Sequence, residues 1–86
     1  MINPYYEEAE LLIVYINSYK RFSKEQAKRF IKQMALSAYP DIKAIQKTLR
    51  KRVWLWYYFN QPINFIKLNE MALAVCDKAE KSVPKS

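Results

Sequence analysis

Apolar residues recur at helical spacing from the start of the chain. Ala9, Leu12, Ile13, Ile16 and Tyr19 share one side of a predicted helix, and Asn3 followed by Pro4 supplies its start. Asn caps free amides at a helix N-terminus, and Pro already has the φ of a first helical residue. Leu11, Val14 and Tyr15 widen the apolar face, so this helix is expected to be deeply packed or shared with a second chain. Ser23 to Gln26 reads as a capping box, in which the Ser hydroxyl and the Gln side chain close each other's free amides. Ala27, Phe30, Ile31, Met34, Ala35 and Ala38 then form a second apolar stripe, with Lys24, Lys28 and Lys32 on another face. Tyr39-Pro40-Asp41 ends that helix and begins a third, because Pro disfavours helix in the residue before it and Asp41 can cap.

At about 100° per residue, Ile42, Ile45, Leu49, Val53 and Trp56 of the third helix fall on one side. Lys43, Gln46, Lys47, Arg50 and Trp54 fall nearly opposite. Beyond Arg52 the pattern divides. Val, Trp, Tyr and Phe favour strands, so residues 53–68 are open to a wing-like hairpin turning at Asn60-Gln61-Pro62. The alternative continues the helix to about Phe59 and begins a fourth at Pro62. The chain contains no glycine, which removes the usual hairpin turn residue and favours the helical version. A last helix includes Met71, Ala72, Val75, Cys76 and Ala79. The expected fold is all-α, a small bundle of about four helices. Residues 1–82 would form a single domain and 83–86 a frayed tail.

Charge sharpens the picture. The 86 residues carry a net charge of +7, unevenly placed: residues 1–22 sum to −1, residues 23–52 to +7 and residues 53–86 to +1. The excess therefore sits on the second and third helices. A concentrated patch of one sign is what a polyanion recognises, whereas a merely solvated face mixes both signs.

The residue types present narrow the chemistry. There is no histidine, so no ordinary general base near neutrality and no imidazole metal ligand. One cysteine, Cys76, allows neither an internal disulfide nor a cysteine-based zinc site. Without glycine there is no phosphate-cradling loop. Glu7, Glu8 and Glu10 cluster where they would complement a helix dipole. No catalytic residue, metal or cofactor is expected, and the chain is read as a cytoplasmic protein that is not an enzyme. The run from Val53 to Phe59 is too short to span a bilayer.

The stretch IKQMALSAYPDIKAIQKTLRKR, residues 31–52, resembles a helix-turn-helix, a motif found in DNA-binding domains. Ala35 occupies the place of the small residue at the helix crossing, Tyr39 that of the turn, and Ile45 and Leu49 those of the buried anchors. Tyr39 stands where glycine is usual, and Pro40 where an aliphatic residue is common. The resemblance implies that the second helix faces the major groove of double-stranded DNA while the first crosses the backbone. Lys43, Gln46, Lys47 and Arg50 would then contact bases, Gln46 and Arg50 foremost. Lys24, Lys28, Arg29, Lys32 and Lys51 would contact phosphates. Trp54, Tyr57 and Tyr58 are candidates for stacking or for an interface.

The function expected on this reading is that of a small basic regulator of transcription or of a mobile element, such as a phage or plasmid protein, acting alone or as a homodimer. A second class stays open: a modulator that grips an acidic partner protein through its basic and aromatic surface, since Trp, Tyr and Arg dominate interface energies. Attachment to a membrane surface fits less well, because helical phase spreads the aromatics around the axis.

Overall fold

Asn3 opens the first helix as its context requires. Its Oδ1 accepts from the Tyr5 amide at 3.1 Å, Pro4 fills the first turn, and α1 runs Pro4–Tyr19. The computed structural model describes residues 3–81, apart from the side chain of Tyr19. The tail expected at 83–86 lies outside the described residues. Helix α2, Lys24–Gln33, begins with the full capping box: the Gln26 amide donates to Ser23 Oγ at 3.3 Å, and the Ser23 amide donates to Gln26 Oε1 at 3.0 Å. Helix α3 spans Pro40–Phe59 and α4 spans Phe65–Lys81. Asn64 starts α4, its Oδ1 accepting from the Lys67 amide at 3.1 Å.

The fold is all-α, with four helices and no strand among the described residues. The hairpin alternative at 53–68 is therefore overturned. The strand-favouring run stays helical because Val53 is buried in phase with Ile42, Ile45 and Leu49, which a two-residue period would not allow. Asn60 ends the helix in the left-handed region at φ 55°, and its amide donates to Trp56 O at 3.0 Å. Asn thus does here what glycine does in most chains. The fourth helix starts at Phe65, after Pro62.

The core draws on every helix. Ala9, Leu12 and Ile16 come from α1, Ala27 and Phe30 from α2, Ile42, Ile45, Leu49 and Val53 from α3, and Leu68, Ala72, Val75 and Ala79 from α4. Helix α1 packs mainly on α4, and α2 mainly on α3. Fully buried alanines on α1, α2 and α4 remove the side-chain bulk that would hold neighbouring helices apart. The wide apolar face of α1 is only partly used, for Leu11, Val14 and Tyr15 remain exposed.

The connection between α2 and α3 departs from the expected motif. Helix α2 ends at Gln33, and residues 34–39 are extended or bent. Ala35 is exposed on this connection, as is Ala38; neither sits at a helix crossing. The fully buried alanine of α2 is Ala27. Side chains capture the connector in place of a continuing helical ladder. Ser37 is buried, its amide donates to Gln46 Oε1 at 2.6 Å, and its hydroxyl donates to Glu8 Oε2 at 3.0 Å. Tyr39, restricted by Pro40, is extended and leads into α3, whose N-cap is Tyr39 and not Asp41. Ala35→Leu is accordingly expected to leave stability within about 0.5 kcal/mol of the parent in thermal and urea unfolding.

Asp41 instead joins three helices. Its carboxylate accepts from the Tyr5 hydroxyl of α1, accepts from the Ile42 amide at 3.0 Å, and lies 3.6 Å from Lys78 Nζ of α4. Tyr5 also stacks on Tyr39, with ring centroids 4.9 Å apart. The hydrogen bond from Tyr5, assisted by the Ile42 amide and the Lys78 charge against a contrary effect of burial, holds the Asp41 carboxyl below its ordinary value of 3.8. The same bond, then burial and the Asp41 charge, pushes the Tyr5 phenol from 10.0 up to about 12. The lowered carboxyl stabilises the fold above 3.8, and that stabilisation is lost as pH falls through its folded value. The raised phenol stabilises the fold below 10.0, and that stabilisation is lost as pH rises through about 12. Tyr5→Phe should lose roughly 1–2 kcal/mol at neutral pH by urea unfolding. The gap to the parent protein should narrow in acid.

Candidate nucleic-acid interface

Burial of Ile42, Ile45, Leu49 and Val53 turns the opposite side of α3 to solvent. Lys43, Lys47 and Lys51 are exposed there and Arg50 is half-buried. From Lys43 to Lys51 they occupy roughly 12 Å of helix at ~1.5 Å per residue. Among the described residues the two ion pairs are Lys78–Asp41 and Lys81–Asp77, and neither uses a cation of α2 or of the α3 face. The sequence from Ile42 to Arg52 contains no acid to supply an i,i+4 partner within it. On α2, Lys28, Arg29 and Lys32 are exposed as well, Arg29 at the rim of a groove between α1 and α2.

Two of the sequence-predicted contacts have work inside the fold. The Gln46 side chain is half-buried and its Oε1 holds the Ser37 amide, so the residue that the motif would aim at adenine anchors the connector. Lys24 Nζ donates to Trp56 O at 2.9 Å and to Asn60 Oδ1 at 3.0 Å, and lies 4.0 Å from the centre of the Trp56 ring. Lys24 sits in the first turn of α2, where a cation opposes the helix dipole. It offsets that cost at the C-terminal end of α3, whose last turn has no basic residue of its own.

The aromatics divide as well. Trp56 is half-buried beneath Lys24. Trp54 points outward and touches Tyr58 and Phe59, with ring centroids 5.2 and 5.5 Å apart, while Tyr57 meets Tyr58 edge to face at 4.7 Å. Phe59 was not a sequence-predicted site residue. It is the last residue of α3 and lies off the phase of the basic stripe, yet its ring reaches that of Trp54. A second surface escaped the sequence reading too. Leu11, Tyr15, Phe22, Phe30, Met34 and Leu36 line an open groove of about 600 Å³ between α1 and α2. It exists because α2 leans on α3 and not on α1, which periodicity within single helices does not reveal.

Among the described residues no cluster of His, Cys, Asp or Glu is suited to a metal ion. Cys76 is half-buried, and burial, then the charges of Glu10 and Glu80, push its thiol above the ordinary value. The surface presents positive charge along α3 and flat rings at its end.

Lys24→Met keeps the aliphatic stem and removes the ammonium. It should cost roughly 0.5–1 kcal/mol in thermal unfolding at low salt, and less at high salt. No protein-family model, no curated protein and no solved structure matches this chain, so the surface itself carries the functional argument.

Proposed function

We propose that this chain is a small DNA-binding protein that lays the outer face of α3 against the nucleic acid. The observation that carries the reading is the set of cations Lys43, Lys47, Arg50 and Lys51 on one face of one helix, with no ion-pair partner among the described residues. Such a face holds condensed phosphate charge in place of salt counterions, and their release drives binding. Arg50 is the best base reader of the set, because its planar fork fits both acceptors of guanine. Lys28 and Lys32 of α2 are suited to flanking phosphates and to setting register. Double-stranded DNA is the first partner to test, and regulation of transcription or of a mobile element is the role such binding would serve. The long connection at 34–39 means that this reading stands on the charged face and not on the helix-turn-helix spacing.

A second reading has its own observation. Tyr58 touches both the exposed Trp54 and the half-buried Tyr57, and aromatic residues of this kind anchor protein interfaces. An acidic protein partner would use that cluster together with the neighbouring cations. Membrane insertion has no such support: among the described residues no helix is long and apolar enough to cross a membrane.

Titration of a fluorescent duplex at several salt concentrations tests the first reading. Affinity should fall steeply with salt, by about 0.9 of a logarithmic unit per logarithmic unit of salt for each phosphate neutralised. Arg50→Ala should lose about 1–3 kcal/mol on a selected site and less on a scrambled duplex. Lys28→Ala should weaken both equally and shallow the salt dependence by about one ion. Absence of binding to any duplex at low salt would remove the duplex reading, and absence of binding to single strands as well would leave the acidic protein partner.

A further inference from the structure

We infer that the aromatic end of α3 takes unpaired bases, so that the preferred ligand is a nucleic acid with a single-stranded segment and not a closed duplex. This rests on the nucleic-acid reading above and names its substrate class. Trp54, Tyr58 and Phe59 are 40%, 56% and 66% exposed. Trp54 touches both of the other rings, so the three form one joined surface and not scattered side chains. Beyond it the helix stops at Asn60, and Asn60, Gln61 and Pro62 are themselves exposed, while Lys24 holds this end of α3 from the Trp56 side.

The platform also continues the basic stripe. Lys47, Arg50 and Lys51 lie one to two turns before it on α3, with Lys47 and Lys51 exposed. Cations that follow a backbone next to rings on which bases stack are the two parts of a single-strand binding surface. Inside a duplex both faces of every base are already covered, and a ring can stack only after a base has been unstacked. Protein interfaces, by contrast, are depleted of lysine around their aromatic anchors. A membrane-surface helix would need apolar residues along its whole exposed face, and the Lys43 to Lys51 half of this one has none at positions 43, 47, 50 and 51.

The test uses the full chain carrying Trp56→Phe, so that Trp54 is the sole indole reporter. The probes are an oligothymidylate of about 12 nucleotides and a blunt duplex of matching length. Oligothymidylate should quench Trp54 and bind at least several-fold more tightly than the duplex. In the parent background, Trp54→Ala should weaken oligothymidylate binding roughly tenfold while changing duplex binding about twofold or less. Trp54→Phe should restore most of the loss, and Tyr58→Ala should reproduce part of it. Equal affinity for both probes with no quenching overturns the inference and leaves the basic face as a duplex binder. Failure of both probes to bind at low salt overturns the nucleic-acid reading itself.

Discussion

Burial of Ile42, Ile45, Leu49 and Val53 fixes how α3 is rotated about its own axis. Each lies within a few per cent of complete burial, and apolar contact of this kind is the main favourable contribution to a small domain. Turning the helix by one position would expose the stripe and bring charged side chains into the core. The same contacts that stabilise the domain therefore decide which side chains face water. Lys43, Lys47 and Trp54 are outward as a direct consequence, and the charged face needs no further scaffolding to be presented.

Polar contacts set the remaining geometry. Asp41 ties the start of α3 to Tyr5 of α1 and Lys78 of α4, and Ser37 ties the connector to Glu8 and Gln46. These bonds lie on the side of the molecule away from the aromatic end of α3. They hold the entrance of the helix, while its exit is held by Asn60 and Lys24.

Much of this was legible in the sequence where a single local rule governs. Asn3-Pro4 and the Ser23–Gln26 box each state a helix start through residues at most three apart, and the structure has both. The stripe of α3 was legible because its period holds over several turns. The end of α2 was not. Met34, Ala35 and Ala38 keep a helical spacing, but Ser37 finds partners on α1 and α3, and contacts between distant segments leave no periodic trace. The candidate surface divides in the same way. Phase within α3 put Lys43, Lys47 and Trp54 on the side that the structure exposes, while the partners of Lys24 and Gln46 belong to other elements and could not be read from spacing.

The Lys24 contact has a topological meaning. The connector at 34–39 joins α2 and α3 at one end through the chain itself. At the other end Lys24 reaches Asn60 across 36 positions of sequence and closes the pair into a ring without a covalent bond. In a chain with a single cysteine, this clasp takes the place that a disulfide occupies in many small domains, at a fraction of its strength. It also answers to a different chemistry, that of an amine and not of a thiol. Acylation of one amine would remove the charge that joins the first turn of α2 to the last turn of α3, the turn that also carries Tyr58 and Phe59.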